Sequence, residues 1–263
     1  MTPTSTSQQW ALITGASSGF GIDFATLLAE QGFNLVLAAR RTAPMVELAA
    51  TLRAQHNVQV HVEAIDLAHA GVGLEMKRRT DALGVRIDVL INNAGYGIFG
   101  DFLEQTLEKT LDMLQLNMAS LTELTHVYGN AMKQHGYGKI LLVSSIGGYQ
   151  STPLYAAYSA SKAYVLLLGE ALNEELEPHN VTVSVLSPGI TATAFLAVSG
   201  QKATAYQRLA MMQSRPVAKI GLRALFNGTP SVVPGLVNKL TILSNRLTPR
   251  RLQSKIAGML MKN

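Results

Sequence analysis

Short runs of Val, Ile, Leu and Ala recur along the chain at 10–14, 34–39, 58–63, 87–91, 139–144 and 181–186, with a weaker run at 231–233. Between them, the segments near 20–31, 43–55, 70–82, 103–132, 155–177 and 203–226 carry apolar residues at helical spacing. Strands that are apolar throughout, separated by helical lengths, predict a parallel sheet covered by helices on both faces. Right-handed crossovers then give a doubly wound α/β fold of about seven strands. With no internal repeat and no low-complexity linker, residues 1–263 read as a single domain. Two of the helices are apolar around more than one face. One carries Leu107, Leu111, Leu114, Met118, Leu121 and Leu124, the other Tyr164–Leu168 with Ala171 and Leu172. Burial on a second side predicts a homo-oligomer, a dimer or a tetramer.

Composition narrows the classes. A chain with 48% hydrophobic and 15% charged residues has too much apolar material for disorder. No apolar run approaches the roughly 18–20 residues of a membrane-spanning helix. Met1–Gln9 has neither a basic start nor an apolar core, so it does not read as a signal peptide, and a cytoplasmic setting is expected. Cysteine is absent, which removes disulfides, thiolate nucleophiles and cysteine-ligated metals. The six histidines show no ligand spacing, so no metal is expected. Charge is segregated: residues 1–177 hold all 17 acids with 11 Lys and Arg, and residues 178–263 hold the other 11 basic groups and no acid. Such a block points to an anionic substrate, partner or surface; nothing in the pattern indicates nucleic acid.

The first strand runs into Thr14-Gly15-Ala16-Ser17-Ser18-Gly19-Phe20-Gly21-Ile22, and a helix follows. Glycines there permit a tight turn, so that backbone N–H groups reach a pyrophosphate with the positive end of a helix dipole behind it. The same stretch fits the G-x-S-x-G of hydrolases, but it follows the first strand, too early for that fold. Ser159-Ala160-Ser161-Lys162 fits S-x-x-K without the companion motifs of that chemistry. The second strand ends Ala39-Arg40-Arg41. An acid at this point would receive the ribose hydroxyls of NAD; Ala39 leaves the position empty, and the guanidinium groups of Arg40 and Arg41 suit the 2′-phosphate of NADP. Asp66-Leu67 and Asn92-Asn93-Ala94-Gly95 fall at carboxyl ends of later strands, where ligands of open α/β sheets bind. Asp66 fits either the adenine amino group or the cap of a helix starting near Ala70.

Ser145, Tyr158 and Lys162, with Asn117 upstream, carry the chemistry. Tyr158 and Lys162 lie four apart and share one helix face. A phenol of ordinary pKa ~10 needs a neighbouring ammonium to serve as an acid or base near neutrality. Ser145, at a strand end, is placed to hold a substrate oxygen.

These stretches resemble the short-chain dehydrogenase/reductase family: T-G-A-S-S-G-F-G at Thr14–Gly21, N-N-A-G at Asn92–Gly95, Ser145, Y-S-A-S-K at Tyr158–Lys162 and P-G at Pro188–Gly189. The resemblance spans roughly residues 8–235 and implies a Rossmann fold, an NAD(P) cofactor and interconversion of an alcohol and a carbonyl. It implies the catalytic set Asn117, Ser145, Tyr158 and Lys162. It also implies a cofactor site of Gly15, Ser17–Ile22, Arg40, Arg41, Asp66, Leu67, Asn93–Gly95, Tyr158, Lys162, Pro188, Gly189, Thr191 and Thr193, with Asn117 holding a water that links the lysine to solvent. The chain runs on beyond Val232-Val233-Pro234-Gly235, unlike members whose glycine-rich end helps a tetramer form, and is nearer to bacterial ketone reductases and the 3-oxoacyl and sphingoid-base reductases.

The segment 194–216 is expected to cover the substrate with Phe195, Leu196, Val198, Tyr206, Leu209, Met211 and Met212. Together with Ile98, Phe99 and Phe102 it predicts an apolar, pliable pocket. Within 236–263, Leu252, Ile256, Met259 and Leu260 share a helical face after Pro249, with Arg250, Arg251, Lys255 and Lys262 largely elsewhere. Such a basic amphipathic helix fits docking on its own domain or a sister subunit, ahead of peripheral membrane contact. The functional expectation is an NADP(H)-dependent reductase of a lipophilic ketone, free or linked to CoA or a carrier. Oxidation of a polyketide- or steroid-like alcohol, or a non-catalytic NADP-binding sensor, stand as alternatives.

Overall fold

In a computed structural model of the chain, residues 9–262 are described; Met1–Gln8, Asn263 and the side chains of Ala205, Tyr206 and Leu209, all three in the expected cover, lie outside that description. Seven parallel strands form the main sheet: β1 (Trp10–Thr14), β2 (Asn34–Ala39), β3 (Val60–Ala64), β4 (Ile87–Asn92), β5 (Gly138–Val143), β6 (Val181–Leu186) and, after a two-stranded ribbon of β7 (Thr191–Ala192) and β8 (Met212–Gln213), β9 (Ser231–Val232). The order β3-β2-β1-β4-β5-β6-β9 is the expected doubly wound Rossmann sheet. Strand direction alternates side chains between the two faces, and each face has its own core. On one, Ile13, Leu35, Leu37 and Ile91 meet Phe24 of α1 (Phe20–Ala29), Leu52 of α2 (Thr42–His56) and Leu222. On the other, Leu12, Val36, Leu90 and Leu142 meet Met76 of α3 (Val72–Ala82), and Tyr128 and Val165 from two helices further along.

Three features depart from the pattern read along the chain. The edge strand β3 is only partly buried, because Val60-His61-Val62-Glu63 alternates and has a neighbour on one side only. The segment 103–132 is not one helix. It divides into α4 (Leu107–Leu114), a widened turn at Gln115–Ser120 and α5 (Leu121–His135), the widening taking up an extra residue where Asn117 turns inward. After α6 (Ala156–Leu176) and the short α7 (Phe195–Ser199), the segment 203–226 likewise divides: α8 (Ala205–Ala210) precedes β8, and α9 (Ser214–Phe226) follows it. The C-terminal segment forms two helices, α10 (Leu236–Leu247) and α11 (Arg250–Met261), the latter starting after Pro249 as the spacing predicts.

Asp66 does not cap α3. Its carboxylate accepts from Ala68 N–H in a local turn. Glu123, 50 residues further along on α5, supplies the cap: its two oxygens accept from Gly71 N–H at 3.1 Å and Gly73 N–H at 3.0 Å. The carboxylate thus satisfies two orphan donors and faces the positive helix end. Replacing Glu123 by Ala is expected to lower unfolding free energy by about 1–2 kcal/mol, read by chemical denaturation; an unchanged midpoint would mean that water replaces the cap without loss.

Candidate active site

The nucleotide side of the crevice is built at the carboxyl ends of β1 and β4, where the strand order reverses. Thr14 Oγ1 donates to the Ile91 carbonyl at 3.2 Å and accepts from the Asn93 and Ala94 N–H groups, each at 3.0 Å. The Asn93 amide donates to the Thr14 carbonyl at 2.9 Å, so the expected cofactor residues Asn93–Gly95 are strapped to the glycine turn. Gly15 and Gly19 have φ of 68° and 53°, which favour glycine, and a Cβ on Gly21 would lie 2.2 Å from the Gly15 carbonyl oxygen. No side chain caps α1, whose first turn follows Ser17-Ser18-Gly19 directly. Arg41 Nη2 sits 3.3 Å from Ser17 Oγ, and a Cβ on Gly19 would touch Thr193, so a guanidinium and a threonine flank the turn. A cradle closed to side chains, backed by an uncapped helix start and a guanidinium, fits a nucleotide bearing phosphates.

The other expected cofactor residues divide by burial. Arg40 and Asp66 are exposed and close enough to act electrostatically on Tyr96; Leu67 is buried in the core. Phe20 and Ile22 open α1, with Phe20 packed towards Phe24. Pro188 accepts from Ile146 N–H, Gly189 lies beneath Asn238 of α10, and Thr191 donates to the Gly189 carbonyl. Among the described residues no group of His, Asp and Glu is arranged to hold a metal ion.

The reacting side gathers on α6 and the turn after β5. Ser145, two residues past β5, accepts from Gly147 N–H at 3.1 Å, and a Cβ on Gly147 would lie 3.5 Å from Ser145 Oγ and 4.0 Å from the Tyr158 ring, so the two side chains lie side by side. Ser144 is buried and donates to the Lys162 carbonyl at 2.7 Å, which leaves its neighbour as the serine facing Tyr158. Lys162 is 5% exposed; its Nζ donates to the Val143 carbonyl at 2.9 Å and lies 5.8 Å from the centre of the Tyr158 ring. Asn117 is fully buried. Its carboxamide accepts from Tyr96 N–H and donates to the Tyr96 carbonyl and to Ser161 Oγ, joining the widened turn, the Asn92–Gly95 loop and α6. Gly95 closes this side, since a Cβ there would lie 2.8 Å from Asn117 Oδ1 and 3.4 Å from Lys162 Nζ.

The electrostatics differ from the expectation that the ammonium lowers the phenol. Burial pushes the Tyr158 hydroxyl well above its ordinary value, with the Ser145 hydrogen bond pulling the other way. The cause is visible in the packing: the rings of Phe195 and Tyr155 stand 5.2 and 5.7 Å from that of Tyr158. Burial also brings Lys162 down to about 8.

Of the expected substrate residues, Phe195 lies over Tyr158, Phe99 packs on Tyr155 at 5.4 Å, and Ile98 is half-buried beside them. Met212 belongs to the scaffold, packed on the core and against Gly235. Sequence reasoning missed Tyr155, whose ring touches both Tyr158 and Phe195 and whose hydroxyl is bonded to Ser199 and Gln201. Its place three residues before Tyr158 on one helix side is the signal that could have found it. It also missed Gly97, where a Cβ would lie 2.8 Å from Phe195 and 3.1 Å from Tyr158.

Comparison with known proteins supplies the family. The family model described as short chain dehydrogenase matches residues 9–204. Over 191 residues the chain is 35% identical to a very-long-chain 3-oxoacyl-CoA reductase of Phaeosphaeria nodorum, a match covering 70% of this chain and 55% of that protein. The chain therefore spans about half the length of the curated relatives it matches. Among solved structures, a short-chain dehydrogenase from Sphingobium yanoikuyae in complex with NADPH is 32% identical, with a TM-score of 0.80 over 91% of this chain and 93% of that one. A bulky-bulky ketone specific alcohol dehydrogenase from Comamonas testosteroni is 29% identical, with a TM-score of 0.77 over 92% and 94% of the two chains. The chain belongs to the short-chain dehydrogenase family of oxidoreductases, whose members bind a nicotinamide cofactor.

Proposed function

We propose that this chain is an NADP(H)-dependent reductase that converts a ketone on a lipophilic, CoA- or carrier-linked substrate to a secondary alcohol. The observation that carries the reading is the placement of Ser145 and Tyr158 beside one another, with the Phe195 ring 5.2 Å from that of Tyr158 and Lys162 one helical turn further on. A bound nicotinamide supplies the hydride in such a reaction. Ser145 then holds the substrate carbonyl oxygen, and Tyr158 gives its phenolic proton to that oxygen as the carbon is reduced. Burial raises the phenol, which opposes this transfer, and the Ser145 hydroxyl pulls it back towards its ordinary value. The Lys162 ammonium beside the phenol returns its proton and is recharged from solvent, while Asn117 braces Tyr96 and Ser161 on either side. Phe195, Phe99 and Tyr155 exclude water around the oxygen.

Arg40 and Arg41, with no acid at Ala39, support NADP over NAD. The names of the similar reductases and the acid-free last third support a CoA-linked 3-oxoacyl chain as substrate. Exposed Leu107 and Leu111 on α4 and Leu167 on α6 support a homo-oligomer joined through that face.

Turnover is tested by following NADPH oxidation with a long-chain 3-oxoacyl-CoA against the free ketone. Tyr158→Phe is expected to cut the rate about a thousandfold while NADPH binding, read by fluorescence titration, stays near wild type; a fully active variant ends the mechanism. Arg40→Ala with Arg41→Ala is expected to weaken NADPH at least about tenfold and to leave NADH nearly unchanged, and equal losses would remove the NADP assignment.

The pH dependence of stability follows from Lys162, which folding shifts from 10.5 down to about 8. A lowered lysine disfavours folding in full below the folded value, and the penalty is relieved as pH rises from about 8 towards 10.5. Across that window this group adds a few kcal/mol of stability to the wild type. Lys162→Met is expected to lack the rise, which urea denaturation at several pH values would reveal; parallel profiles for the two proteins would contradict it.

A further inference from the structure

Helices α10 and α11 each attach to the rest of the chain by one side. On α10, Asn238 is buried over Gly189 and donates to the Pro234 carbonyl at 2.7 Å, and Asn245 donates to Gln150 at 2.6 Å. On α11, Ala257 and Gly258 are buried, the latter against Pro153, and the Met261 carbonyl accepts from Gln201 Nε2 at 3.1 Å. Docking on its own domain, the sequence expectation for this segment, therefore does not consume the apolar faces. Leu236, Leu240, Leu243 and Leu247 follow one another at helical spacing along α10 and are all exposed, Leu247 to 84%. Leu252, Ile256 and Met259 form the matching stripe on α11, opposite the buried Ala257 and Gly258. Cations flank both stripes: Lys239 and Arg246 on α10, Arg251 and Lys255 on α11, and Lys262 just past its end. The last acid of the chain is Glu177.

We propose that the α10–α11 pair lies on an anionic lipid bilayer, its leucine stripes in the acyl boundary and its flanking cations among the headgroups. Charge selects this occupant. A second copy meeting the same face symmetrically sets the cations of one chain against those of the other, with no carboxylate from 178–263 to offset them. A surface of anionic headgroups neutralises the same cations while the acyl boundary takes the leucines. No helix among the described residues is long and apolar enough to cross a membrane, so the contact is interfacial. The attachment also has a direction. Met261 and Gln207 meet Gln201, which accepts from the Tyr155 hydroxyl beside Tyr158, so α11 stands between the lipid surface and the apolar cover of the site. The inference stands on the exposed faces and the charge, and holds whichever carbonyl compound the enzyme reduces.

The test is flotation of the full chain with vesicles of phosphatidylcholine alone and of phosphatidylcholine mixed equally with phosphatidylglycerol. The chain is expected to float with the mixed vesicles, to bind phosphatidylcholine weakly, and to be released by salt. Leu240→Glu with Leu243→Glu changes two exposed side chains, so NADPH binding and circular dichroism should persist while affinity for mixed vesicles falls at least about tenfold. Failure of the wild type to float with mixed vesicles, or an undiminished variant, overturns the proposal. Equal binding to both vesicle types overturns its anionic part. A wild-type dimer in analytical ultracentrifugation that the double variant dissociates, with no flotation of either protein, assigns the face to a second copy instead.

Discussion

The hydroxyl of Thr14 joins the two strands at which the sheet changes direction. From β1 the chain winds towards β3 on one side, and from β4 towards β9 on the other. The crossovers part at this junction and leave a crevice at the carboxyl ends of both strands. One buried oxygen serves three backbone groups there, a carbonyl from β4 and two N–H groups from the loop after it. An apolar side chain of the same shape would leave the Ala94 N–H without this acceptor and would leave the Asn93 N–H and the Ile91 carbonyl only their bond to each other, at 3.0 Å. The glycine turn and the Asn92–Gly95 loop, which together wall the nucleotide side, take their relative position from this contact. The Asn93 amide adds a second tie of the same kind.

The reacting side solves a different problem: polar groups must meet at the end of an apolar core. The widened turn before α5 rotates the Asn117 carboxamide inward, where it pairs with the backbone of Tyr96 on both its N–H and C=O. That pairing substitutes for a strand ladder and fixes the loop that faces Tyr158. Ser161 passes the constraint on, accepting from Asn117 and donating to the Tyr158 carbonyl. Lys162 is held one step away by the last carbonyl of β5. The phenol is thereby located from the backbone side, while its hydroxyl answers to Ser145 and to the aromatic cover.

Much of this is local and therefore legible along the chain. Buried strands such as Leu35–Leu37, the glycine turn after β1 and the four-residue step from Tyr158 to Lys162 each carry their signal within a few residues. What escaped depends on contacts between distant segments. Glu123 caps a helix 50 residues away, and nothing around Glu123 marks it apart from other surface acids. The widened turn at Asn117 interrupts an apolar pattern that remains helical in period on either side of it. The phenol's electrostatics depend on Phe195 and Tyr155, from segments that periodicity places near the site but does not stack. Charge told the reverse story: the acid-free last third was plain in the sequence, while the exposure of its leucines emerges only from how α10 and α11 are turned.

The cover deserves separate weight because it is the least braced part of the site. It consists of helices of five and six residues and a two-residue ribbon, each too short to hold its own shape. Its order comes from a polar cluster instead. Tyr155, Ser199, Gln201 and Gln207 are bonded among themselves and are all buried. Gln201 and Gln207 reach α11 through hydrogen bonds to Met261. A buried polar network of this kind is stable only while every member is satisfied. Displacing α11 would remove an acceptor from Gln201, loosen the hydroxyl contact of Tyr155, and free the ring that packs against both Tyr158 and Phe195. The helix α11 is thus mechanically upstream of the aromatic cover, and the packing that buries the phenol extends, through four side chains, to the surface of the molecule.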